Sequence, residues 1–170
     1  LSDGTELEAD TIVWTAGVKP NPVLAASDLP TDDRGRVDTR VDLQVKGAPG
    51  VWAAGDNAAV RDLTASDPGA TTAPNAQHAV RQAKVLADNI VAVMAGKRPE
   101  VYKHKYLGSV ASLGLHKGVA QVYGVKLRGL PAWFMHRTYH VSKMPTFNRK
   151  VRIVLDWTLA FFFRREVVAF

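Results

Sequence analysis

The sequence contains no cysteine. This excludes disulfide frameworks, thiol nucleophiles, thioether-attached haem and cysteine-ligated zinc or iron–sulfur sites. It also contains no G-x-G-x-x-G, so the glycine cradle that opens a dinucleotide-binding βαβ unit is missing. A membrane span needs about 20 apolar residues, whereas the uncharged run in the last helical segment is only Trp157 to Phe163. Neither a starting methionine nor a signal segment is present, and the Asp3-Gly4 turn pair has strand material only after it. The chain reads as part of a longer one, with a processed terminus of a short protein as the alternative. His136 and His140 share a helix face, but no third ligand stands at useful spacing, so no zinc site is expected. Ser109 and Ser112 fall in a strand pattern rather than at a nucleophile elbow.

Acidic residues are scarce in one region only. Residues 97–170 carry 14 Lys and Arg against 3 Asp and Glu, net +11, while residues 1–96 carry 8 against 13, net −5. With 46% hydrophobic and 22% charged residues in a chain of 170, there is enough apolar material for a core. An anionic partner would meet the second region.

The pattern predicts an α/β chain. Leu7, Ile12, Val13 and Trp14 read as strand material, and a short strand starts at Gly35-Arg36-Val37. Val41, Leu43 and Val45 alternate as half-buried β, Val51–Ala54 reads as a short apolar strand, and residues 61–74 as a loop. A helix is expected from Asn75 to about Ala95, stopped by Gly96, with Ala76, Ala79, Val80, Ala83, Leu86, Ala87, Ile90, Val91 and Met94 on its apolar face. Beyond Tyr102, Ser109–Gly114 and Val119–Val125 predict a small antiparallel sheet. One helix then runs from Gly129-Leu130-Pro131 to about Met144, its polar side formed by His136, Arg137, His140 and Lys143, and a last one spans about Asn148 to Val168.

Two places can carry chemistry. Gly55-Asp56 follows the apolar strand, where a carboxylate can accept hydrogen bonds from ligand hydroxyls in the crevice of an open α/β sheet; a turn Asp capping its own loop fits the dipeptide equally. Asn75 is a good N-cap, and Gln77 and Gln82 can reach a quinone or flavin carbonyl, or simply face solvent. In the tail, Trp133, Phe134, Trp157, Phe161, Phe162 and Phe163 lie among Arg149, Lys150, Arg152, Arg164 and Arg165. That pairing suits an interfacial helix on anionic lipid; a dimer interface or docking helix is the competing reading. No RNA- or DNA-binding module supports nucleic acid.

Together these residues resemble the C-terminal part of the type II (non-proton-pumping) NADH:quinone oxidoreductases, with an actinobacterial look, within the wider FAD/NAD-dependent pyridine nucleotide-disulfide oxidoreductase superfamily. Thr11–Val18 is similar to the segment returning from the NADH-binding to the FAD-binding domain. Val51–Ala58 is similar to the late flavin-domain strand ending in Gly-Asp, and Pro74–Gln82 to the Pro-x-Ala-Gln helix beside the flavin and quinone. Tyr106–Gly114, Leu127–Trp133, Asn148–Lys150 and Asp156-Trp157 continue the match. The His-Glu pair of water-soluble disulfide reductases is not found.

The resemblance implies a Rossmann-like fold fragment, with residues 1–100 the latter part of an FAD-binding domain. Residues 101–170 would be a C-terminal domain with a small antiparallel sheet and amphipathic helices. It implies that Gly55, Asp56, His78 and Ala79 contact FAD, the last two through backbone groups, and that Gln77 adjoins the quinone. No side chain is implied as a catalytic acid or base. The parent would oxidise NADH through FAD and reduce a membrane quinone, as a homodimer held peripherally on the cytoplasmic face of the plasma membrane by anionic lipid. Lacking both dinucleotide fingerprints, the chain by itself is expected to be inactive and not to retain FAD. A non-catalytic membrane- or protein-docking module is the alternative.

Overall fold

Turn chemistry and short apolar runs leave the first region with little regular structure besides one helix. The computed structural model describes residues 4–6, 8–13, 15 and 17–163, without the side chain of Phe161. Leu7, Trp14, Ala16 and the predicted helical stretch beyond Phe163 lie outside the described residues. The chain forms two compact units that divide between Tyr106 and Leu107.

In the first unit, β1 (Val37–Asp38) pairs in parallel with β2 (Ala58–Ala59), in the register Val37 to Ala58. Leu43, Ala58, Val60 and Tyr102 form the core, with Trp52, Ala53, Val85 and Leu86 packed against it. Residues 101–106 thus belong by contact to the first unit: Tyr102 is buried there, and its N–H donates to Val41 O at 2.8 Å.

Three expected strands do not form. Of the first, only Ile12 and Val13 are among the described residues, and they are exposed and carry no strand. Residues 41–45 and 51–54 meet only through the bridge Gln44–Trp52, with Ala53 N–H donating to Leu43 O and Val45 N–H to Val51 O. Leu43 has a φ of 73°, a left-handed conformation that interrupts the alternation a strand needs. Its side chain is nevertheless fully buried, so the apolar pattern marked the core correctly and the geometry wrongly.

Helix α1 (Ala76–Met94) begins at Asn75, whose side chain accepts from the His78 N–H, and ends before Gly96. Its inward face coincides with the predicted apolar stripe only in part: Leu86 of that stripe packs on the core beside Val85. His78, Gln82 and Asn89 are buried, while Val80, Val91 and Met94 are exposed. The reason is loop backbone: Asn89 donates to Asp42 O (2.9 Å) and Glu100 O (2.8 Å) and accepts from the Glu100 N–H (2.7 Å). Side-chain amides here replace the ladder partners that irregular segments lack.

The second unit is a meander of β3 (Gly108–Ser112), β4 (Gly118–Val122) and β5 (Val125–Arg128), all antiparallel. The small sheet forms as expected, but Val119–Val125 is two strands rather than one. Tyr123 and Gly124, with φ of 50° and 84°, make the two-residue turn between them. Positive φ at both positions suits the twist of a hairpin. Helix α2 (Leu130–Ser142), with Pro131 in its first turn, lies across β4, and α3 (Phe147–Phe162) follows. A Cβ on Gly118 would stand 2.6 Å from Trp133 N, so only glycine lets the helix approach so closely. The expected polar side of α2 is also corrected. Arg137 lies between the rings of Trp133 (4.5 Å) and Trp157 (4.1 Å), and half-buried His136 packs on His140. The apolar stem and planar head of arginine make that placement favourable.

Candidate functional site

The Gly55–Asn57 segment is a single 3-10 turn at the end of the extended residues 51–54. Gly55 has a φ of 74° and sits against α1, where an added Cβ would be 3.5 Å from that of Ala79. Its N–H donates to Gln82 Oε1 at 2.7 Å, and Gln82 Nε2 donates to Thr72 Oγ1 at 3.0 Å. Gln82, read from the sequence as able either to reach a ligand carbonyl or to face solvent, does neither: it is 1% exposed and ties the turn and the 61–74 loop to the helix.

Asp56 is exposed on the rim of an open cleft of about 540 Å³, shared with Lys19, Arg34, Arg36 and Pro74. Arg36 is held by Asp32 (2.6 Å) and Thr71 (2.9 Å). Burial would raise the Asp32 carboxyl, but the hydrogen bonds and charge of Arg36 outweigh it and hold the group below its usual range. Lys19 and Arg34 are exposed cations. A carboxylate for hydroxyls beside cations for phosphate is a donor set that fits one flank of a dinucleotide cofactor.

The start of α1 carries a second cluster. The N–H groups of His78 and Ala79 go to Asn75, to its side chain (2.9 Å) and its carbonyl (3.0 Å). Both therefore close the helix cap rather than reach out. A hydrogen bond of 2.9 Å joins the His78 Nδ1 and the Tyr102 hydroxyl. The His78 ring stacks on Tyr106 and meets His104 edge-on. Burial, then the neighbouring His104 and Arg81, push His78 below its ordinary value against the pull of Asp62. Burial raises the Tyr102 hydroxyl. Half-buried Gln77 meets His104, with Oε1 3.1 Å from Nε2. Gly55, Ala79 and Gln82 thus come together at the turn, Asp56 faces the cleft, and Gln77 and His78 belong to the histidine cluster.

Tyr102, His104 and Tyr106 were not singled out in the sequence as site residues. Their alternation in Tyr-x-His-x-Tyr, with polar or charged residues between, was the available signal. Among the described residues no group of three or more His, Cys, Asp or Glu is placed to hold a metal.

Residues 1–83 match the family model of the pyridine nucleotide-disulphide oxidoreductases, and residues 106–166 match that of the NDH2 C-terminal domain. The chain belongs to the type II NADH:quinone oxidoreductase family. Family relatives include the type II NADH:quinone oxidoreductase Ndh of Mycobacterium tuberculosis, 32% identical over 97% of this chain and 36% of that protein. The type II NADH:quinone oxidoreductase of Staphylococcus aureus is 34% identical over 78% of the chain and 32% of its own length. A plant relative, the mitochondrial internal alternative NAD(P)H-ubiquinone oxidoreductase A1 of Arabidopsis thaliana, is 29% identical over 98% and 36%. The chain thus spans about a third of the length of these curated relatives. The structure of NDH2 from Plasmodium falciparum in complex with NADH has the same fold over 92% of this chain and 46% of that one, with a TM-score of 0.74 at 14% identity.

Proposed function

We propose that the whole protein oxidises NADH through bound FAD and reduces a membrane quinone without pumping protons, as an actinobacterial-like member of its family. The observation that carries this reading is the juxtaposition on α1: the Gly55 turn rests on Ala79, and Gln77 lies two residues earlier in the same helical start. FAD, when bound, supplies the redox chemistry, accepting a hydride from NADH and passing two electrons to the quinone. Asp56 accepts hydrogen bonds from the cofactor's ribityl hydroxyls. Lys19 and Arg34 face its phosphates. Gly55, His78 and Ala79 form the wall along the flavin, and the Asn75 cap keeps that wall rigid. Gln77 meets the quinone headgroup.

Residues 1–100 supply the latter part of the FAD-binding domain, and residues 101–170 the C-terminal domain. The chain alone provides one flank of the cofactor site, so it retains no FAD and has no activity; a stoichiometric flavin spectrum surviving gel filtration would refute this. In the full-length protein, Asp56→Ala should lower FAD content and Gln77→Leu should raise the quinone KM. An Asp56→Ala variant with full FAD content would sink the cofactor assignment.

The second unit supports a peripheral location on the cytoplasmic face of the plasma membrane. Among the described residues no helix is long and apolar enough to cross a membrane. Leu115, Phe134, Leu155, Leu159 and Phe162 are exposed, and Arg149 and Arg152 stand on the same helix as the last three. Apolar groups in the acyl boundary and cations against anionic lipid would hold the protein where the quinone dissolves. Flotation with anionic vesicles, weakened by salt and by Phe162→Ala, is the expected result. If nothing floats and α3 is buried against a second chain, the same face is the homodimer contact and the docking-module reading gains.

A further inference from the structure

We propose that Asn57 is a positioning residue for the cofactor cleft, setting how far the Lys19 ammonium stands from the Asp56 carboxylate. The proposal rests on the reading that FAD lies in that cleft, with its hydroxyls at Asp56 and its phosphates at Lys19. A cofactor that carries both groups on one chain of bonds holds them at a limited span. A cation on one wall and a carboxylate on the other serve it together only when the walls are already at that span.

The Asp56 wall is fixed without the Asn57 side chain. The Gly55–Asn57 turn is closed by the Ala58 N–H on Gly55 O, and the Gly55 N–H donates to buried Gln82 at 2.7 Å. The Lys19 wall has fewer donors to work with. Asn21 stands between Pro20 and Pro22, and proline has no N–H. Of residues 20–22 only Asn21 therefore carries a backbone donor, and that N–H goes to Asn57 Oδ1 at 3.1 Å. An N–H only donates, so the amide oxygen of Asn57 is the end that must face it.

Stiff backbone passes the bond at Asn21 on to Lys19. Lys19 and Asn21 each precede a proline, which biases both toward extended backbone; Asn21 has φ −62° and ψ 131°. The Asn21 side chain accepts from the Val23 N–H at 3.0 Å and so caps the turn Pro22–Leu24, and the next residue, Ala25, lines the same cleft as Lys19. A rigid run pinned at one point moves as a unit. Loosening Asn57 therefore displaces Lys19 and leaves Asp56 where it is. Asn57 touches no cofactor group in this scheme; it acts through Lys19.

The test uses the full-length protein and measures its affinity for FAD by flavin fluorescence. Asn57→Ala should weaken FAD binding about fivefold, the size of one neutral hydrogen bond. Asn57→Asp keeps an oxygen in place for the Asn21 N–H. In about 0.5 M salt, which screens the added charge more than a direct ammonium–phosphate contact, it should bind closer to wild type than to Asn57→Ala. The decisive comparison is between double variants. Asn57→Ala should cost little more in a Lys19→Ala background, because both act on one contact, and its full fivefold in an Asp56→Ala background, where the other wall is untouched. The inference is overturned if Asn57→Ala binds FAD like wild type while Lys19→Ala does not. It is equally overturned if Asn57→Asp fails like Asn57→Ala, or if the loss in Asn57→Ala adds in full to that of Lys19→Ala, as a merely structural loss would. Wild-type affinity in both Lys19→Ala and Asp56→Ala would instead overturn the placement of FAD in the cleft, whatever Asn57 does.

Discussion

The two units order short, irregular elements by opposite chemistry. In the first, the inward face of α1 is mixed: Val85 and Leu86 pack on the core, while Gln82 and Asn89, each 1% exposed, satisfy the backbone of loops that have no ladder. In the second, a complete antiparallel meander satisfies its own backbone, and helix packing falls to Trp133, Arg137 and Trp157. Where strands are too short to pair, side-chain amides substitute for them, and part of the apolar stripe of the helix, Val80, Val91 and Met94, is left facing outward. Where strands pair fully, the helices need only apolar and cation–aromatic contact. The first arrangement gives a rigid turn at Gly55; the second leaves an apolar, basic surface.

The sharpest way to break the comparison is at Gly118. A side chain there collides with the backbone of Trp133, which cannot yield as a flexible chain end would. Gly118→Val should destabilise the second unit by about 3 kcal/mol, at the upper end for overpacking. Hydrogen exchange should show β3–β5 and α2 losing protection while α1 keeps its own. Equal loss in α1 would mean that the units unfold together.

Next in size is the corresponding test in the first unit. Gln82→Leu removes the acceptor of the Gly55 N–H and the donor to Thr72 while keeping much of the side chain's volume. Leaving a fully buried N–H unpaired costs about 1–3 kcal/mol, and for the half-buried Gly55 N–H the loss should lie near the lower end, about 1 kcal/mol. A denaturant midpoint that does not move would show that Gly55 finds another acceptor. In that case the amide is not what sets the turn.

A smaller effect is expected at the junction of α2 and α3. Arg137 presents its guanidinium to two indole rings, and a half-buried cation–aromatic contact is worth about 1 kcal/mol. Arg137→Lys should lose most of it, since a compact ammonium cannot stack on both faces as a planar guanidinium does. Quenching and peak position of Trp157 and Trp133 fluorescence report the change directly; unaltered spectra would rule the sandwich out in solution.

How much of this the sequence revealed follows from the same contrast. The helix from Asn75, its cap, the second unit's antiparallel sheet and the Pro131 start were legible because periodicity, capping and turn residues are local signals. The strands at 41–45 and 51–54 were not, because a ladder depends on partners that no local pattern specifies. The polar part of α1's inward face was hidden for a related reason: an apolar stripe marks the whole buried face only where buried backbone is already satisfied. Gly55-Asp56 and Gln77 were singled out as candidates by their places at the end of an apolar run and at a helix start, and by the motif resemblance. His104 and Tyr102, 27 and 24 residues from their partners, had no local signal beyond an alternating Tyr-x-His-x-Tyr.

The smallest expected effect is on pH dependence, and it divides the units by histidine. Burial comes first in lowering both His78 and His136; His104 then adds to it at His78, and His140 and Arg137 at His136. For a group whose folded value is lowered from 6.5, the unfolded chain binds the proton more readily. Stability is therefore intact above about 6.5 and declines as the pH falls toward the folded value, where it levels off. Asp32, also lowered, acts in a separate window: its contribution is present above its ordinary 3.8 and is lost as the pH falls through its folded value. Melting between pH 7.5 and 5.5 isolates the histidines from the carboxylate. His78 is 3% exposed and His136 is half-buried, so the slope should lie mainly in the first unit. His78→Asn should flatten it more than His136→Asn does, measured on α1 and α2 separately by hydrogen exchange. A steeper residual slope in the His78 variant would place the sensitive proton in the second unit and reverse the assignment.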